Sequence, residues 1–293
     1  MYKDKLCGNL WSAKNHKGAK IMRTILVTGG TNGIGNGIAL EYLAKGDRVI
    51  VVSNSNLSGE TFIKEAQLHN LGERAVFIKA DLSLISENKR LIEEIKHSFP
   101  EIDKLIFCAS RHRKERIETA ERLEFSFALD YLSRFLLSYG LKECLEKTEH
   151  PIIMNVCGTG MKGKVNWDDL QHKKSFSPIK VMMHGSRLND LSGIAFAQND
   201  DTGKIKYILY NPMAVKTPGM MEFGNPVMKL YYKFAAKTEE KAVIPIIELL
   251  DNPPSSPISA YKEHKEISLA LATYNKENAV KLYNATTQIL EGM

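Results

Sequence analysis

From Thr24 onward, short apolar runs alternate with longer stretches in which apolar residues recur every three or four positions. That alternation is the pattern of a parallel sheet whose strands are buried on both faces and joined by helical crossovers. Strands are predicted at Ile25–Thr28, Arg48–Val52, Ala75–Lys79, Leu105–Cys108, Ile152–Val156 and Lys206–Tyr210, each short, β-branched or aromatic, and flanked by turn residues. Helices are predicted at Gly35–Ala44, Gly59–His69, Ser86–Ser98, Phe125–Cys144 and Val181–Gln198, each with room for a right-handed crossover. The expected fold class is α/β: a doubly wound, mostly parallel sheet with helices on both faces, in one domain over residues 22–293.

Two connections are longer than the sheet requires. Residues 158–180 are polar, charged and glycine-bearing, which suits an active-site loop. Residues 212–226 are rich in Met, Gly and Pro and read either as a substrate lid or as an ordinary surface loop. The last third predicts a helix at Thr238–Leu250, a break at Pro253, Pro254 and Pro257, and a closing helix at Lys276–Leu290. Residues 1–21 are polar and basic, lack the apolar stretch of a secretory signal, and are expected to be a disordered arm; Met22, directly before the first strand, offers an alternative start.

The turn after the first strand carries the clearest chemistry. A helix that opens with its amide groups free can seat a pyrophosphate against its positive end. In this chain Gly29 permits the tight turn, Gly33 lets backbone approach the phosphates, and Gly35 lets the helix pack close to the strand. The turn follows an apolar strand, opens a helix whose apolar positions include Ile38, Ala39 and Leu43, and is followed by a second strand at the right distance.

The spacing Thr28, Gly29, Gly33, Gly35 resembles the TGxxxGxG turn of the short-chain dehydrogenases/reductases, and the likeness extends over nearly all of residues 22–292. Ala80, Asp81 and Leu82 resemble the family's adenine-contacting segment, and Cys108, Ala109 and Ser110 occupy the place of its NAG turn. Within the family the chain looks most like the retinol-dehydrogenase branch, because Val165–Leu170 resembles that branch's INFDDL segment and residues 275–290 its closing helix. The resemblance implies a nicotinamide dinucleotide held by Gly29, Thr31, Asn32, Gly33, Ile34 and Gly35 at the turn. It adds Ser53, Asn54 and Ser55 after the second strand, then Asp81, Leu82, Ala109, Arg187, Pro212 and Thr217. An acidic residue ending the second strand would favour NAD by accepting the ribose hydroxyls; the neutral Ser53, Asn54 and Ser55 lean instead toward NADP(H), with NAD(H) still accommodated, although no Arg accompanies them.

The same resemblance exposes four substitutions at the family's catalytic positions. Aligning Ser186 and Arg187 with the family's SK puts Met183 at its Tyr and Arg187 at its Lys; Gly158 falls at its Ser and Asp130 at its Asn. Methionine has no proton to transfer, and loss of one positioned acid costs roughly 10² to 10⁴ in rate. Neighbouring registers bring no Tyr, since Val181, Met182, Met183 and His184 precede Gly185. Pro212 and Met213 stand where the family has a PG turn, which would put a bulky side chain near the nicotinamide.

Substitutes are few. His184 exchanges protons near neutral pH but lies about 100° around the helix from Met183 and is expected to face elsewhere. Asp130 is either the partner of Arg187 in a buried ion pair across the old site or a desolvated base. Cys157 is either a nucleophile or an inert small hydrophobe ending a buried strand. Met182, Met183, Met213, Met220 and Met221 suggest an apolar, adaptable pocket, with ordinary packing the simpler account.

Composition narrows the partners. The net charge of +6 is scattered among acids rather than gathered into a stripe, which disfavours nucleic acid. The four cysteines have no CxxC spacing, so no metal is expected and reduced thiols in a cytoplasm are. No stretch of about 18 to 20 apolar residues is present to span a membrane. The expectation is therefore a divergent dinucleotide-binding protein acting on a small apolar molecule, with a homo-oligomer compatible. Its role is non-redox, such as rearrangement, cyclisation or pseudoenzyme; the alternatives are an atypical NADPH-dependent oxidoreductase or a nucleotide-binding regulatory subunit.

Overall fold

In the computed structural model, which describes residues 22–217 and 236–293, eight strands form one sheet in the order β3-β2-β1-β4-β5-β6-β7-β8. The strands are β1 (Thr24–Thr28), β2 (Arg48–Ser53), β3 (Ala75–Lys79), β4 (Lys104–Phe107), β5 (Ile152–Val156), β6 (Lys206–Asn211), β7 (Ile258–Lys262) and β8 (Lys265–Glu266). All neighbours are parallel except β7 and β8, which are antiparallel. The arm at 1–21 and the part of the supposed lid beyond Thr217 lie outside the described residues.

Alternation along β1 explains the two layers. Leu26 faces one side with Ile50, Leu105, Ile153 and Leu209. Ile25 and Val27 face the other with Val49, Val51, Ile106, Met154 and Ile208. The second side is covered by α1 (Gly33–Ala44), α2 (Asn56–Leu68) and α7 (Glu239–Asp251), through Ile38, Tyr42, Phe62 and Ile246. The first is covered by α3 (Ile85–Ser98), α4 (125–140) and α6 (Pro178–Gln198), with α8 (Lys276–Glu291) packed outside α6. Burying both faces is what lets the central strands be apolar throughout.

The stretch predicted as one helix at Phe125–Cys144 is subdivided. Here α4 comprises Phe125–Phe127, a π-helical turn at Ala128–Leu132 and Ser133–Gly140, and Lys142–Glu146 forms a separate short α5. The break at Pro253, Pro254 and Pro257 is followed by a strand the sequence pattern does not predict, β7, which joins the sheet beside β6. A π turn widens the helix locally and frees main-chain groups, and such turns concentrate at functional sites.

Candidate active site

The strand order reverses between β1 and β4, and the carboxyl ends of β1, β4, β5 and β6 open there into a cavity of about 1000 Å³. Ligands of doubly wound sheets bind at this place because the crossovers diverge to opposite faces and leave a crevice. One end of the cavity is the turn after β1. Gly29 has φ +67°, and a Cβ there would stand 2.7 Å from the Ala109 nitrogen; a Cβ on Gly35 would stand 2.4 Å from the Gly29 oxygen. Both positions therefore need glycine, one for the turn and one for helix-on-strand contact. Thr31, Asn32, Gly33 and Ile34 line the same end. No side chain caps the first amides of α1 and no acidic residue sits in its first turn, so its positive end is open to an anion. These residues fit a dinucleotide diphosphate.

Ser53, Asn54, Asp81, Leu82 and Ala109 continue the wall, and Pro212 and Thr217 close it from the other side. Ser55 does not line it; its hydroxyl caps α2 by accepting from the Ser58 amide at 3.3 Å. Asp81 accepts from the amide and hydroxyl of Ser83 at 3.0 and 2.7 Å. Lys79, in register with Ser53 on the neighbouring strand, is an exposed cation beside this corner that does not itself line the cavity. Met213 occupies left-handed backbone at φ +61°, lines the cavity and is 43% exposed.

The other half of the cavity is walled by α6. The residues it turns inward are Val181, Met182, His184, Gly185, Ser186, Leu188 and Asn189; Met183 and Arg187 do not line the cavity. The inward pair one turn apart is thus Met182 and Ser186, whose hydroxyl donates to the Met182 carbonyl at 3.0 Å. The face is rotated by one residue from the alignment. Gly158 lies against it, since a Cβ there would meet the Ser186 Oγ at 2.4 Å.

The anticipated Asp130–Arg187 ion pair does not form. Arg187 pairs instead with Asp190, three residues further along its own helix, at 2.8 Å, with both side chains buried. It also donates to Thr273 Oγ1 and to the Gly158 carbonyl. Asp130 sits in the π turn, where its main-chain carbonyl accepts from Asn189 Nδ2 at 2.8 Å; its Oδ1 is buried and has no partner among the described residues.

His184, expected to face away, lines the cavity beside His172 of the preceding loop. It is 5% exposed, its Nε2 accepts from the Asn166 amide at 3.2 Å, and its Nδ1 lies 3.0 Å from His172 Nε2. The accepting Nε2 leaves the proton on Nδ1, which makes His172 Nε2 the acceptor of the pair. Burial, and next the neighbouring His172, push the His184 pKa down to about 4, opposed by Asp169. The ring is thus neutral at pH 7. Because protonation is disfavoured in the fold, its contribution is complete above pH 6.5 and is lost as pH falls through 4. Urea unfolding is expected to lose up to about 3 kcal/mol across that window, less in His184→Gln; an identical acid profile in the variant would contradict this.

Cys108 and Cys157 also line the cavity, and burial pushes both thiols up to about 12. Neither is an activated nucleophile. Among the described residues no cluster of three metal-ligating side chains occurs, and no helix is long and apolar enough to cross a membrane.

The described geometry joins a glycine turn to a topological switch point and a cavity, and the comparisons agree with it. Residues 23–168 match the short chain dehydrogenase family model. The chain belongs to the short-chain dehydrogenase/reductase superfamily. Among curated proteins it is 31% identical over 220 residues to an uncharacterized oxidoreductase of Saccharomyces cerevisiae, covering 71% of this chain and 66% of that one. It is 30% identical to an NmrA-like family domain-containing oxidoreductase of Aspergillus, over 68% of this chain and 63% of that one. The matched region thus spans slightly less than two thirds of these relatives. Mouse retinol dehydrogenase 12 is 22% identical over 92% of this chain and 86% of its own. Of solved structures, a 3-ketoacyl-(acyl-carrier-protein) reductase from Brucella melitensis complexed with NADH superposes with a TM-score of 0.63 at 18% identity, over 82% of this chain and 96% of that one. A short-chain dehydrogenase from Shigella flexneri complexed with NADP gives 0.62 at 15% identity, over 83% and 97%. At such identities these two establish the fold.

In this short-chain dehydrogenase/reductase the sequence reading had singled out neither His172, Arg134 nor Lys262, although all three line the cavity. His172 comes from the loop before α6, and no spacing rule ties it to His184. Arg134 was the most accessible to reasoning, being one turn beyond Asp130 on an otherwise apolar helix face.

Proposed function

We propose that this protein binds a nicotinamide dinucleotide at its glycine turn, NADP(H) in preference to NAD(H), and acts on a small apolar molecule without tyrosine-dependent hydride chemistry. The observation that carries this is the cavity face of α6, where Met182 and Ser186 stand one turn apart and no Tyr lines the wall among the described residues. When bound, the dinucleotide would supply a hydride donor or acceptor. Gly29, Gly33 and Gly35 would cradle its diphosphate, and Lys79 beside Ser53 favours a 2′-phosphate by charge. Leu129, Met182 and Leu188 offer an apolar wall to the second molecule. A non-redox role, in which the dinucleotide orients or signals while a bound molecule rearranges, fits this inventory best.

A second reading is favoured by the histidine pair. His184 and His172 both line the cavity and share a hydrogen bond, so they could hand on a proton in place of the missing hydroxyl while the dinucleotide gives hydride to an activated enone or imine.

The test begins with the purified protein. Mass spectrometry of co-purified nucleotide and titration with NADPH and NADH are expected to give NADPH binding that is tighter by roughly tenfold, about one charge-assisted contact. Absence of binding by either would remove both readings. NADPH oxidation over ketones, enones and imines then separates them: no turnover is expected for the first, whereas turnover lost in His184→Gln supports the second.

A further inference from the structure

We propose that Arg134 makes the floor of the cavity a receptor for an oxyanion, and that the small molecule taken there carries a carboxylate. The inference deepens the reading of this cavity as a small-molecule site and rests on it.

Arg134 is 3% exposed and lines the cavity. A guanidinium cannot shed its charge by deprotonating, so burial must be compensated by partners. Its partners here are all neutral: Nη1 donates to Asn155 Oδ1 and to the Val156 carbonyl, and Nη2 to the Ala109 carbonyl at 3.0 Å. Its Nε is buried with no partner, and among the described residues no carboxylate lies within ion-pair distance of it. The other buried guanidinium of this region, Arg187, shows the contrast, since Asp190 neutralises it at 2.8 Å.

The acids near Arg134 do not supply the missing charge. Glu124 is consumed by the amides of Ser126 and Phe127 at 3.0 and 2.7 Å. Asp130, one turn before Arg134, lines the same cavity yet makes no ion pair with it, because the guanidinium is held toward the ends of β4 and β5. A ligand carboxylate supplies the charge the protein leaves open, through the Nη2 hydrogen that Ala109 does not take, since Nη1 already donates twice. Leu129 and Met182 would cover an apolar remainder. A phosphate of the dinucleotide is the other source of an oxyanion, but the open helix end at Gly33 already provides for the diphosphate.

The test uses the whole chain with decanoate and decanol as probes, followed by calorimetric titration and thermal melting, with and without saturating NADPH. Decanoate is expected to raise the Tm and to bind at least about tenfold more tightly than decanol, the scale of one charged hydrogen bond. Arg134→Met should lose that preference while melting higher than the parent when no ligand is present, since an uncompensated buried charge has gone. Asp130→Asn should strengthen decanoate binding by removing a like charge, which keeps the test decisive if Arg134→Met misfolds. Equal binding of the two probes, or a preference that survives in Arg134→Met or weakens in Asp130→Asn, overturns the proposal. Loss of NADPH affinity in Arg134→Met with no carboxylate preference in the parent assigns the anion to the nucleotide and also overturns it. Failure of NADPH to bind the parent, with the decanoate results as expected, removes the dinucleotide reading and leaves Arg134 as the receptor.

Discussion

Asp190→Ala is expected to lower unfolding stability by about 3–5 kcal/mol, the cost of leaving one partner of a buried ion pair uncompensated. Asp190 is fully buried and holds four groups from three parts of the chain. Arg187 pairs with it at 2.8 Å, the hydroxyls of Thr159 and Thr273 donate to it, and the Gly160 amide approaches at 3.4 Å. Tyr274 in turn bonds Thr159 at 2.8 Å. The carboxylate therefore ties the loop after β5 and the segment before α8 to α6, and the Gly158–Gly160 wall of the cavity should loosen with it. Burial raises the Asp190 pKa, while Arg187 and the hydroxyls lower it. Urea unfolding at neutral pH measures the loss. A change below about 1 kcal/mol would mean the pair gives back in attraction no more than its desolvation costs. Arg187→Met with Asp190→Leu should then recover much of the stability, since replacing both charges removes the unpaired one.

Gly35→Ala is expected to reduce dinucleotide affinity by at least tenfold and stability by about 1–3 kcal/mol, the usual cost of overpacking. The added Cβ would stand 2.4 Å from the Gly29 oxygen and 3.0 Å from its carbon. Both are backbone, so α1 must tilt away from β1 and carry its free amides with it. Displacing the helix end also displaces the positive pole that an anion would use. NADPH titration together with a melting curve separates the two effects. Wild-type affinity in a destabilised variant would show that the phosphates are held elsewhere than at this helix end.

Much of this architecture was legible along the chain. Ala75–Lys79 and Ile152–Val156 coincide with their predicted strands, and the glycine turn occupies the end of the cavity expected of it. Local signals suffice there, because a strand buried on both faces must be apolar and the turn needs glycine for steric reasons. β7 was missed because Ile258–Lys262 follows three prolines and has too little alternation to outweigh them. Its partner β6 decides it. The π turn in α4 was equally invisible, since its five residues, Ala128–Leu132, carry an ordinary helical pattern.

The candidate site divides along the same line. Sequence by itself determined which groups exist: the glycines at 29, 33 and 35, a methionine-rich stretch where a Tyr would be sought, and no acid after β2. Only the tertiary structure decided which of them meet. Met182 and Ser186 line the cavity where the alignment placed Met183 and Arg187, and His184 lines it too, on a part of the wall that wraps around the helix. Residues 181–189 mix apolar, small and polar side chains without a single apolar stripe, so spacing alone does not fix which of them face the cavity. Arg187 finds Asp190 on its own helix, whereas Arg134 meets no carboxylate among the described residues, being held toward the ends of β4 and β5 by groups from separate strands.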